Sequence, residues 1–144
     1  MDQSSRGYVL VHHHLDQSFS AAEDTGYEDD NSAPLVLTNG WLSRFGLEPK
    51  NLGIVEANND SMAPDIRKGD SVVVDTSNAE VRDGNIYVIR YRHELSIKRL
   101  FTRYDGALII RSENNSKYPE EVVPQEYLNV QVIGHVVWRA GSLV

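Results

Sequence analysis

One serine and one lysine are the residues whose types and settings could do the most chemistry. Ser61 lies in a polar turn after Ile54-Val55-Glu56-Ala57 and before Val72-Val73-Val74, and Lys98 lies in Glu94-Leu95-Ser96-Ile97-Lys98-Arg99-Leu100-Phe101. A serine hydroxyl is a poor nucleophile until a neighbouring base takes its proton. Lysine can be that base only when neutral, and a free lysine titrates near pH ~10.4. Burial against apolar neighbours lowers that value by disfavouring the ammonium, and Ile97, Leu100, Met62 and Val72 are the neighbours the sequence offers. Taken singly, Ser61 reads as a turn serine bonded to its own backbone and Lys98 as a solvated strand lysine. A second constellation, His12-His13-His14, invites a metal reading. Adjacent strand side chains point to opposite faces, so at most two of the three could share a ligand set. The preferred reading is a solvated edge or linker, with no metal and no cofactor.

Composition bounds what these residues can serve. A chain of 144 residues suffices for one domain with a sizeable core and an unstructured arm. Its 14 basic and 21 acidic residues give a formal charge of -7, a field that repels a phosphate backbone. Direct DNA binding by these residues is therefore not expected. The absence of cysteine excludes a disulfide scaffold, a thiol nucleophile and a Cys-ligated metal. No apolar run approaches the roughly 18 to 20 residues of a membrane span, and no secretion signal opens the chain. The expectation is a soluble cytoplasmic protein with no membrane partner.

The elements that must position the two residues are mostly strands. Tyr8-Val9-Leu10-Val11 reads as a short strand, and the acidic stretch from Asp16 to Pro34, which has no sustained period, as a loop. Thr38 to Leu47 reads as a short helix, capped by Thr38 or Asn39, with Trp41, Leu42 and Phe45 at helical spacing and Gly46 as the stop. Strands follow at Ile54–Ala57, Val72–Val74, Asn85–Tyr91 and Leu95–Phe101, the last two joined by a tight turn at His93-Glu94. Tyr104-Asp105-Gly106 turns the chain into Ala107–Arg111, a polar loop runs from Glu113 to Pro119, and Val130–Trp138 is the closing strand. Many short strands with one short helix indicate a mostly β domain. Val130–Trp138 is the expected dimer interface, as an apolar edge strand able to pair with its symmetry mate, with an ordinary core strand as the alternative.

Ser61-Met62-Ala63-Pro64, Gly69-Asp70, Val72-Val73-Val74-Asp75, Asp83-Gly84-x-Ile86-Tyr87, Ile97-Lys98-Arg99-Leu100 and the closing Val132-Ile133-Gly134-x-Val136-Val137 occur in one order. So arranged, they resemble the self-cleaving LexA and phage-repressor peptidase family, over about residues 54 to 137. Gly46-Leu47-Glu48-Pro49 and the Glu113–Pro119 loop, similar to a Ser/Asn-x-x-Tyr-x-Pro segment, extend the resemblance.

The resemblance implies a LexA/signal-peptidase-like β domain with an extended N-terminal arm: residues 1–34 a flexible arm with the cleavable segment, and 35–144 a peptidase-like and dimerisation domain. It implies an autocatalytic serine endopeptidase with a Ser61/Lys98 dyad, no catalytic Asp, and an oxyanion held by the backbone N–H groups of Asp60 and Ser61. Where the family has Gly-Asp before the serine, this chain has Asn59-Asp60. If that position needs a left-handed backbone, asparagine is the least costly replacement. The family cuts after a small residue and before glycine, so Ala21-Ala22 is the first candidate bond and Thr25-Gly26 the second. Implied too are a homodimer or higher homo-oligomer, a RecA filament as the family's usual trigger, DNA contact only through a helix-turn-helix domain absent from this chain, and a bacterial host. The expected function is the C-terminal regulatory domain of a phage or prophage repressor, with slow cleavage or none. A UmuD-like accessory protein and a non-cleaving oligomerisation module on the same fold are the alternatives.

Overall fold

The computed structural model describes residues 7–11, 13–15, 34–127, 129–141 and 143. In chain order the elements are β1 (Tyr8–Val11), β2 (Leu35–Thr38), α1 (Asn39–Arg44), β3 (Leu52–Glu56), β4 (Ser71–Asp75), β5 (Ile86–Tyr91), β6 (Glu94–Thr102), β7 (Leu108–Arg111), β8 (Glu121–Val123) and β9 (Gln131–Ala140). β1 and β2 form a two-stranded sheet, and the others a seven-stranded antiparallel sheet in the order β3-β4-β9-β5-β6-β7-β8. The expected mostly β domain with one short helix is what forms.

The core follows from residue alternation. In β4, Val72 and Val74 join Val55, Met62, Ile66, Val88, Leu95, Ile97 and Ile133 beneath the serine turn. Val73, on the other face, packs with Val9, Val11, Leu37 and Leu42 of the small sheet and helix. β4 is thus buried on both faces, which is why it reads as an unbroken apolar run rather than an alternating one. Thr38 caps α1 by accepting from the Trp41 N–H at 3.2 Å, and Gly46, at φ 65°, ends it.

Four differences from the sequence reading have physical causes. β2 and β8 are too short, at four and three residues, to show a period. The β5–β6 turn is Arg92-His93, both left-handed at φ 52° and 66°, because pairing of Tyr91 with Glu94 leaves only those two residues in the loop. Within the expected 1–34 arm, β1 is laddered to β2, and Leu15 is buried with its N–H donating to Ile54 O at 2.7 Å. Finally, β9 is not an edge strand but sits between β4 and β5. It pairs with β5 from Gln131 to His135 and with β4 from His135 onward, so Val136 to Ala140 carry a ladder on the β4 side only.

Candidate active site

β3 delivers the chain to Ala57, and β4 takes it up again at Ser71. Between them, Ala57 donates to Asp70 O and Gly69 to Ala57 O, each at 2.8 Å, closing residues 57–70 into a pinned loop. Gly69 has φ 92°, a conformation costly for any residue with a Cβ. Met62 and Ile66 are sunk in the core while Asp65 and Lys68 face water, and Met62 O accepts from the Ile66 N–H at 2.9 Å. Apolar anchoring on one side of the loop thereby fixes Ser61, which is 4% exposed. It lines a cleft with Asn59, Met62, Leu95, Ser96 and Ile97.

Lys98 stands on β6, where the register that pairs Arg99 with Arg111 places it opposite Ser112. Its Nζ donates to Ser112 Oγ at 2.7 Å and lies 5.3 Å from the centre of the Tyr118 ring. Burial pushes the Lys98 pKa down, with Glu121 opposing the shift. Of the expected apolar neighbours, Ile97, Met62 and Val72 gather in one core cluster and Leu100 in another.

The segment after β7 joins the two residues. Asn114 N–H donates to Ser61 O at 3.0 Å, and its side-chain amide donates to Asp60 O at 3.3 Å. Tyr118 Oη donates to the Asp60 carboxylate at 2.7 Å, and Lys117 Nζ lies 3.0 Å from it. These contacts, the Tyr118 hydrogen bond first and Lys117 second, hold the Asp60 carboxyl below its usual range. The same contact with Asp60 raises the pKa of Tyr118 and of Lys117. Ser61 and Lys98 are therefore brought into one neighbourhood through Ser112, Asn114 and Tyr118. Among the described residues, the hydrogen bond of Lys98 Nζ goes to Ser112 and not to Ser61.

The Ser61 N–H donates to Asn59 Oδ1 at 3.0 Å. Asn59 does not have a positive φ, so its place in the turn rests on that side-chain hydrogen bond and not on tolerance of a left-handed backbone. Ala21, Ala22, Thr25 and Gly26 lie outside the described residues, as does His12. His14 forms a bridge with Ile54, and its Nε2 is buried without a partner among the described residues.

Sequence reasoning missed Ser112, Tyr118 and the Asn59 side chain. Counting the hairpin register outward from the Asp105-Gly106 turn would have found Ser112, because that register alone sets it opposite Lys98. The role of Asn59 had a local signal as well, since asparagine commonly bonds the backbone two residues on.

Comparisons with known proteins bear on the family of the chain. A family model described as Peptidase S24-like matches residues 15–137. Repressor protein CI of Enterobacteria phage phi80 is 35% identical over 113 residues, which are 77% of this chain and 47% of the relative. An uncharacterized HTH-type transcriptional regulator of Haemophilus influenzae is 32% identical over 104 residues, 72% of this chain and 43% of its own length. The HTH-type transcriptional regulator PrtR of Pseudomonas aeruginosa is 31% identical over 122 residues, 83% and 48% respectively. The chain thus spans about half the length of the curated relatives it matches. With a family model covering most of its length and relatives of this similarity, the chain belongs to the Peptidase S24-like family.

Proposed function

We propose that this chain is the regulatory domain of a phage or prophage transcriptional repressor, and that Ser61 and Lys98 cut the segment between His14 and Pro34 of the same chain. The observation that carries this reading is the half-buried lysine with a lowered pKa, held by Ser112 and faced by the same Tyr118 that ties down Asp60, next to Ser61. Neutral Lys98 takes the Ser61 proton as Ser61 Oγ attacks the Ala21 carbonyl. Backbone N–H groups at Asp60 and Ser61 receive the oxyanion. The proton passes to the leaving amine of Ala22, and water then hydrolyses the ester to regenerate Ser61. The segment's surroundings suit an intramolecular cut. Val11 is paired with Leu35, and His13–Leu15 is bonded to β3, the strand that runs into the serine loop, so both ends of the cleavable stretch are anchored to the fold and its N-terminal end points toward the site. Operator binding belongs in this reading to a helix-turn-helix domain outside these residues, a division that the negative charge of the chain and the HTH-type names of its relatives support.

Mass spectrometry after prolonged incubation at high pH is expected to show a fragment beginning at Ala22, or failing that at Gly26. A dominant cut outside residues 14 to 34 would overturn the placement. The hydrogen bond from the Ser61 N–H to Asn59 favours a second reading, a module that keeps the fold but does not cleave; a chain that stays intact throughout would establish it.

Dimerisation is part of the same proposal. Trp138 and Phe45 are 42% and 56% exposed, and Trp41 packs against both, edge to face with Trp138 at 5.2 Å and tilted to Phe45 at 5.3 Å between ring centres. This aromatic surface adjoins the single-laddered stretch of β9, Val136 to Ala140. Sedimentation equilibrium is expected to report a dimer that Trp138→Asp dissociates, because a carboxylate in an apolar interface carries a large desolvation cost. A wild-type monomer would refute the interface.

A further inference from the structure

We infer that the side chain of Asn59 is a gate on the oxyanion position, an inference that rests on the Ser/Lys reading of the site. The Ser61 N–H is one of the two donors an oxyanion formed at Ser61 requires, and here it already donates to Asn59 Oδ1 at 3.0 Å. A substrate carbonyl can use that donor only after the amide oxygen has left it. Among the described residues, the bond to the Ser61 N–H is the hydrogen bond that holds the Asn59 side chain, which is solvent-exposed and lines the same cleft as Ser61, Leu95 and Ile97, so its amide can turn out to water. The neighbouring residues are held quite differently. The Asp60 carboxylate is fixed by Tyr118 and Lys117, and Ser61 O accepts from Asn114. Asn59 is thus the movable member of a fixed turn, and it acts on the reaction as a positioning residue through the Ser61 N–H. An incoming peptide must displace a side-chain acceptor that mimics the carbonyl it brings.

A neutral hydrogen bond of this kind shifts an equilibrium by about two- to tenfold. Asn59→Ala removes the acceptor, keeps the Cβ and is expected to raise the reactivity of Ser61 by that factor. Asn59→Asp substitutes a stronger, charged acceptor, which also repels an oxyanion, and is expected to lower it. The experiment is carried out on the full chain with two readouts. A fluorophosphonate probe, whose phosphoryl oxygen seeks the same donors, measures the labelling rate of Ser61 at high pH in the wild type, Asn59→Ala and Asn59→Asp. Residue-resolved hydrogen exchange measures the Ser61 amide directly, and it should exchange faster in Asn59→Ala. A purely structural role for Asn59 predicts the opposite ordering, with Asn59→Ala loosening the turn and labelling more slowly. An unchanged Ser61 amide overturns the inference. So does a freed amide with labelling that is absent, unchanged or slower. Labelling that proceeds equally in Lys98→Ala would instead overturn the Ser/Lys reading, while the Asn59 ratio still decides the gate.

Discussion

Lys98→Ala is expected to slow self-cleavage by about 10²- to 10⁴-fold, the usual contribution of a positioned general base, and Ser61→Ala to abolish it. The two losses should not add, because nucleophile and base act in one step and removing either leaves the other with nothing to do. Lys98→Arg is the sharper control. It keeps a positive charge on β6, but a guanidinium does not give up its proton in the accessible pH range, so it should be as inactive as Lys98→Ala. The wild-type rate should climb with pH as Lys98 deprotonates and level off once it is neutral. Because burial lowers the Lys98 pKa, the plateau should begin at lower pH than a solvated lysine would give. Substantial cleavage in Lys98→Arg, or a wild-type rate flat with pH, would count against the lysine as base. Cleavage persisting in Ser61→Ala would remove the serine.

The hydrogen bond to Ser112 bears on that profile. Burial disfavours the ammonium of Lys98 and the charge of Glu121 favours it, and the net direction is downward. Neutral Lys98 keeps the same neighbour, since a hydroxyl can donate as well as accept. Ser112, itself 3% exposed, therefore holds Nζ in place through both protonation states.

Much of this was legible in the sequence because local chemistry dictated it. The apolar run Val72-Val73-Val74 announced a strand, Thr38 and Gly46 bracketed a helix, and Asp105-Gly106 set a hairpin. Ser61 and Lys98 stood out by resemblance, and the fold does bring them to one neighbourhood. What could not be read was long-range. Tyr118 reaches Asp60 across 58 positions of sequence, and no local pattern encodes that meeting. The place of β9 between β4 and β5 was hidden for a related reason. Its apolar alternation describes a half-buried strand but not which neighbours complete it, so the pattern leaves edge strand and core strand both open, and the core strand is the one that forms.

Gly134 shows how tightly that interior is built, and Gly134→Ala is expected to destabilise the domain by about 3 kcal/mol or more, at or above the upper end of ordinary overpacking. The cause is not backbone freedom, since Gly134 does not have a positive φ. β9 passes from β5 to β4 around this point: Gly134 pairs with Val88, the next residue His135 pairs with Tyr87 and Asp75, the register against β5 shifts just before Gly134, and the register against β4 shifts farther on, between Val136 and Trp138. A Cβ on Gly134 would lie 2.8 Å from Val74 Cγ1, and closer still to the backbone carbonyl oxygen of Asp75. A side chain could rotate away, but a strand backbone can yield only by breaking its ladder. β4 cannot move either, because Val72, Val73 and Val74 are fully buried between two core clusters. A loss of this size is a large share of the roughly 5 to 15 kcal/mol that holds a domain together. It should also reach the site, because Val74 and Ile133 pack in the same cluster as Met62, the residue after Ser61. Gly40→Ala provides the contrast. Gly40 lies in α1 with open space around it, so alanine there should stabilise by about 0.5 to 1 kcal/mol through helix propensity alone. Urea unfolding of the two variants measures both, and a Gly134→Ala protein within 1 kcal/mol of wild type would show that β4 and β9 are not packed backbone to backbone at this crossing.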